Sequence, residues 1–118
     1  MNVYPQIKRY FLYTGLADMR KSFIGLSGLV INEMSGAIRG GDGFVFFNKR
    51  RNMVKILVWD RNGFAIYYKK LSQGTFELPL WQEGSKSLEL SSTKLLLILE
   101  GVQLESVKYR KRYSEKSL

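Results

Sequence analysis

Gly43-Phe44-Val45-Phe46-Phe47-Asn48-Lys49-Arg50-Arg51-Asn52-Met53-Val54-Lys55-Ile56-Leu57-Val58-Trp59-Asp60-Arg61-Asn62-Gly63-Phe64-Ala65-Ile66-Tyr67-Tyr68-Lys69-Lys70 is the stretch that decides the fold. It holds three runs rich in β-branched and aromatic residues: Phe44 to Asn48, Val54 to Asp60 and Phe64 to Lys70. Short polar links separate them. Such runs read as strands, and Arg61-Asn62-Gly63 reads as a hairpin with glycine placed for a left-handed conformation. The segment is expected to be a β-meander.

Sorting the side chains by face sets the expected register. A two-residue link would put Trp59 opposite Phe64 and mix polar and apolar residues on both faces. A three-residue link, with a bulge at Gly63, puts Asp60 opposite Phe64. One face then carries Val54, Ile56, Val58, Phe64, Ile66 and Tyr68, and the other Lys55, Leu57, Trp59, Ala65, Tyr67 and Lys69. Register follows the hydrophobic pattern where one face is buried, so the three-residue link is the expected one.

Working outward, residues 9–13 read as a short aromatic strand ended by Thr14-Gly15. A helix is expected from Asp18, as cap or first-turn charge, with an apolar face through Met19, Phe23, Leu26, Val30 and Met34 and a stop at Gly36. On the other side, Gly74 to Leu78 reads as a strand closed by Pro79, and Ser87 to Leu90 as another. Ser91-Ser92 then caps a helix through Leu95–Leu99, with Gly101 as its stop. The expected class is α+β: an antiparallel sheet of about four to six strands with a central meander, packed by a helix in the N-terminal half and a C-terminal helix. Residues 1–107 read as one domain and residues 108–118 as a basic, mobile tail.

The 118 residues suffice for one packed core, with 45% of them hydrophobic. There is no cysteine and no histidine. That removes disulfides, thiolate metal sites, cysteine nucleophiles and every histidine-based triad. The aspartates are Asp18, Asp42 and Asp60, scattered between a helix start, a glycine loop and a turn. A two-metal site needs converging carboxylates, so no catalytic residue, metal or cofactor is expected. No signal segment and no apolar run near ~20 residues is visible; the reading is a cytoplasmic protein without a membrane partner or a small-molecule substrate.

The net charge is +9, and it is unevenly spread. Residues 1–70 carry 12 basic against 4 acidic residues, residues 71–105 carry 2 against 5, and residues 106–118 carry 5 against 1. Clustered positive charge fits a polyanion, with DNA the expected partner. Four groups of residues are candidates. Lys49-Arg50-Arg51 projects from a turn, where guanidinium forks suit phosphate; the plainer alternative is a solvated turn that protects an edge. Arg20 and Lys21 stand at the helix start, where free N–H groups add to an anion site; alternatively they are ordinary surface beside Asp18. Lys55 and Lys69, with Trp59 and Tyr67 as stacking platforms or partner anchors, share a face in the expected register; alternatively the rings face a helix and the lysines snorkel. The basic tail is either a phosphate-binding arm or a terminus without a role.

Several motifs then resemble a known family. Gly15-Leu16-Ala17-Asp18-Met19-Arg20-Lys21-Ser22-Phe23-Ile24-Gly25-Leu26, Gly43 to Arg51, Val54 to Asp60 with Gly63-Phe64, Tyr68-Lys69-Lys70-Leu71 with Gly74 and Phe76, and Leu99-Glu100-Gly101 occur in the order found in the TnpB-type accessory protein, the second open reading frame product, of insertion-sequence-66-class transposable elements. The resemblance spans about residues 10–102. Ser22 stands where the family usually has glycine, and Ile24 where an acidic residue is frequent. The resemblance implies a non-catalytic role in transposition beside a separate transposase. It leaves two readings open: DNA binding through the basic surface, or an adaptor that holds the transposase or another element-encoded protein through an aromatic surface.

Overall fold

The computed structural model describes residues 7, 9–36 and 38–101; the expected domain limit at 107 and the basic tail lie outside them. The elements are β1 (Arg9–Tyr13), α1 (Phe23–Glu33), β2 (Gly43–Phe47), β3 (Met53–Asp60), β4 (Gly63–Lys70), β5 (Ser87–Ser91) and α2 (Ser92–Leu99). They build an α+β fold around a five-stranded sheet in the order β4-β3-β2-β1-β5. The meander β2-β3-β4 is antiparallel, as is the β1–β5 pair. The β1–β2 pair is parallel, with Tyr10 beside Gly43 and Leu12 beside Val45. The sheet is therefore mixed. α1 and its loops return the chain to the end where β1 began, and that makes β1-α1-β2 a crossover unit.

Both faces of the sheet are covered, and this sets the register of the β3–β4 hairpin. Trp59 pairs with Phe64 and Asp60 with Gly63, so the link is the two-residue Arg61-Asn62. The three-residue link expected from the sequence is not formed. Val54, Ile56, Val58, Ala65 and Tyr67 face one core with Tyr10, Leu12, Val45, Phe47, Leu90 and the buried Leu95, Ile98 and Leu99 of α2. Leu57, Phe64 and Ile66 face a second core with Tyr13, Phe44, Phe46 and the buried Leu26, Val30 and Met34 of α1 and its C-cap. With no solvent face, polarity has nothing to sort; the observed register instead gives each helix an apolar bed.

Local rules account for the start of α2 but not for the bounds of α1. Ser91 caps α2 by accepting from the Lys94 N–H at 3.1 Å. α1 begins at Phe23 instead of Asp18, and no side chain caps it. It crosses the strands: Phe23 stacks near Phe64 of β4 at 6.4 Å, while Glu33 accepts from the Tyr13 hydroxyl of β1 at 3.0 Å. Past the helix, Ser35 takes the left-handed conformation (φ 55) and Gly36 does not. Gly36 serves close approach, since a Cβ there would lie 2.8 Å from both Phe44 and Val30.

The expected strand at Gly74–Leu78 is absent. Those residues form a strap that buries Phe76 and Leu78 in the first core. Its Phe76 N–H donates to the Arg51 carbonyl at 2.6 Å. Two apolar anchors and this hydrogen bond hold it, without a ladder.

Candidate nucleic-acid interface

The turn between β2 and β3 is organised by Asn48. Its Oδ1 accepts from the backbone N–H of Asn52 at 3.0 Å and of Met53 at 2.9 Å. Its Nδ2 donates to Asn52 Oδ1 at 2.7 Å, and its carbonyl accepts from Arg51 N–H at 3.0 Å. An Asn side chain that closes its own turn is well suited to this place. The lacing presents Lys49, Arg50 and Arg51 exposed at the tip. Arg51 sits at φ 56, a conformation that costs an L-residue about 1–2 kcal/mol and that glycine would adopt freely. Backbone preference therefore does not explain an arginine here.

The loop before α1 comes to the same end of the sheet. Ala17 N–H donates to the carbonyl of Phe47, the residue before Asn48. Lys55 then fastens the loop: its Nζ donates to the carbonyls of Met19 at 2.7 Å and Lys21 at 2.8 Å. Its ammonium also lies 4.8 Å from the centre of the Tyr68 ring. Lys55 is only 8% exposed, so its charge is spent inside the protein. Burial of an ammonium is tolerable because carbonyl dipoles and a π-face replace water.

Arg20 and Lys21 are exposed on that fastened loop. Arg20 forks onto Asp18, with Nη2 at 2.7 Å and Nε at 3.1 Å, and its backbone N–H reaches the same carboxylate at 2.9 Å. These hydrogen bonds and the guanidinium charge lower the Asp18 pKa to about 2. Exposed Lys70 closes β4 opposite Met53, and Lys86 accepts from Thr14 N–H through its carbonyl, so both belong to this end.

The remaining sequence candidates lie elsewhere. Lys69 Nζ donates to the Leu99 carbonyl at 3.2 Å and so caps the C-terminus of α2. Tyr67 packs on the first core. Trp59 lies on the other face, meets Phe64 edge-on at 5.0 Å and carries the Arg39 guanidinium at 4.5 Å from its ring centre. The expected single face of Lys55, Trp59, Tyr67 and Lys69 is thus split by the two-residue hairpin: Lys55 and Trp59 point one way, Tyr67 and Lys69 the other.

An aromatic residue that the sequence reading passed over does sit beside the cations. Arg51 lines a cleft of about 430 Å³ with Glu77, Leu78, Pro79, Leu80 and Trp81. The available signal was four apolar residues, Leu78-Pro79-Leu80-Trp81, in a segment without periodicity. Among the described residues no group of three or more carboxylates could hold a metal ion, and no helix is long and apolar enough to cross a membrane.

Comparison with known proteins gives a family and one relative of unassigned role. The model of the family described as IS66 Orf2 like protein matches residues 8–109. A protein of Sinorhizobium fredii (strain NBRC 101917 / NGR234), named uncharacterized protein y4jC, is 30% identical over 100 residues, covering 85% of this chain and 84% of its own. No solved structure matches significantly.

Proposed function

We propose, from the premise that this chain belongs to the IS66 Orf2 like family of insertion-sequence accessory proteins, that it acts in transposition by binding DNA through the basic end of its sheet. The observation that carries the reading is the Asn48-laced turn, which holds three exposed cations in a fixed loop and keeps an arginine at φ 56. Lys49, Arg50 and Arg51 supply phosphate contacts, and Arg20 and Lys21 extend the contact from the fastened neighbouring loop. Lys55 and Lys69 contribute by holding backbone in place.

A salt-series gel shift with element-end DNA and random DNA tests this. Binding to both should weaken steeply with salt, and Arg50→Ala should lower the log–log slope by about 0.9. An affinity indifferent to salt, or an unchanged slope in Arg50→Ala, sinks the reading.

The adaptor reading keeps one specific observation in its favour. Ile24 is 90% exposed and Ile31 58%, on the outer side of α1, with Phe23 beside them at 43%. Such a patch suits a protein partner better than water. Trp59 and Tyr67 are weaker anchors because both already pack inside the molecule. Ile24→Glu should abolish co-purification of the element's transposase without altering DNA affinity if this second surface is used.

A further inference from the structure

We infer that the cleft between the Asn48–Asn52 turn and the 76–81 strap seats an unpaired nucleobase, so that the protein holds single-stranded or frayed DNA more tightly than continuous duplex. The inference rests on the DNA-binding reading above and adds to it a subsite and a preference.

The walls of the cleft differ in chemistry, and each suits one part of a nucleotide. One wall is Arg51, at the tip that also carries Lys49 and Arg50. These cations suit the flanking phosphates. The other wall is Pro79, Leu80 and Trp81. Trp81 packs on the first core and still lines the cleft, while Leu80 is 81% exposed. Indole and flat aliphatic surfaces are stacking platforms for a base that has left its helix, and every base has a π-face to offer them. A paired base keeps its faces inside the duplex stack and cannot reach such a cleft.

The cleft is held in shape before anything enters it. The Phe76 N–H is bonded to the Arg51 carbonyl at 2.6 Å, and Leu71 N–H to the Asn52 carbonyl at 2.8 Å. Phe76 and Leu78 anchor the strap from below. The volume, about 430 Å³, is within the range of small-molecule sites. Glu77 is the one carboxylate among the described lining residues. A carboxylate accepts from exocyclic amino groups and faces the thymine O4 unfavourably. The cleft therefore favours amino-bearing bases, cytosine above thymine.

Direct binding titrations of the full chain decide the matter, with oligodeoxycytidylate, oligodeoxythymidylate and a mixed-sequence duplex of equal length. Wild type should bind the cytidylate strand tightest. Trp81→Ala should weaken single-strand binding roughly tenfold and leave duplex binding unchanged. Leu80→Ala, at a site too exposed to affect folding, should weaken it in the same direction, and Glu77→Gln should erase the preference for cytidylate over thymidylate. Circular dichroism checks that Trp81→Ala is folded; if it is not, Leu80→Ala and Glu77→Gln carry the test. Absence of all DNA binding overturns the DNA-binding reading together with this one. Salt-dependent duplex binding with single-strand affinity unmoved by the cleft variants overturns the cleft alone. So does loss of transposase capture in Leu80→Ala at unchanged DNA affinity, which would give the cleft to a protein.

Discussion

β3 ends in two turns, one at each end of the sheet, and each places an arginine in the left-handed region: Arg51 at φ 56 and Arg61 at φ 58. Their surroundings differ. The Arg51 turn is laced through Asn48, presents two further cations, and shares its end with Arg20, Lys21, Lys70 and Lys86. The Arg61 turn has two residues and an Asn62 N–H to Asp60 carbonyl contact of 2.6 Å. Nearby charge at that end is engaged, Arg9 with Asp42 at 3.2 Å and Arg39 on the Trp59 ring; at the Arg51 end Asp18 engages Arg20 in the same way, at 2.7 Å, while Lys49, Arg50 and Lys21 are exposed. A strained arginine is thus not a site by itself. At Arg61 a tight hairpin explains the angle, since short loops between twisted strands ask for positive φ. At Arg51 the strain coincides with a fixed loop, exposed cations beside it and a cleft.

The largest effect should come from removing the tip. Replacing Lys49, Arg50 and Arg51 together by alanine should lower the salt slope of DNA binding by about 2.7, whereas Arg61→Ala should leave it unmoved. Equal losses from both changes would erase the distinction between the two ends.

Next is Lys55. Lys55→Met should cost about 1–3 kcal/mol in urea unfolding, because the Met19 and Lys21 carbonyls lose their shared donor. It should also weaken DNA binding, through the released Arg20–Lys21 loop, although Lys55 touches no phosphate. A full loss of affinity with unchanged stability would instead make Lys55 a direct contact.

Glycine substitutions sharpen the comparison. Arg51→Gly and Arg61→Gly should each raise stability by about 1 kcal/mol by relieving the left-handed backbone. Only Arg51→Gly should lower DNA affinity. Thermal unfolding and gel shift on the same two proteins read both quantities.

The smallest effect is alkaline. Tyr13, at the β1 end that faces the basic loops, has its hydroxyl pKa raised by burial first and by the neighbouring Glu33 second. The folded state therefore prefers the protonated hydroxyl. Its stabilising contribution is complete below the unfolded value of ~10 and is lost as pH rises through the higher folded value. Stability measured by urea unfolding should fall on that side, and Tyr13→Phe should flatten the fall. An unchanged alkaline limb in Tyr13→Phe would remove Tyr13 as its cause.

Much of this architecture was legible in particular residues. The β-branched run Val54–Val58 marks β3, Ser91 marks the start of α2, and the Lys49–Arg51 tip stands out between two apolar strands. The hairpin register was not legible, because the choice depended on whether β3 and β4 had a wet face. α1 and α2 cover both faces, and each helix is far away in sequence from part of the sheet it covers. Gly74–Leu78 looked like a strand because Phe76 and Leu78 alternate with polar residues. Alternation reports only that two side chains are buried, and a strap buries them equally well.

The sequence by itself determined the charge and its uneven distribution, the absence of histidine and cysteine, the strand runs, and the family motifs. These are properties of residues and their near neighbours. Which cations are free for a partner was decided only by the tertiary structure. Lys55 and Lys69 look in sequence like Lys49 and Arg50, yet their ammonium groups are taken by the carbonyls of Met19 and Lys21, 36 and 34 residues away, and of Leu99, 30 residues away. A lysine's availability depends on which carbonyls the fold brings within reach of its charge, and that is settled only when distant segments meet.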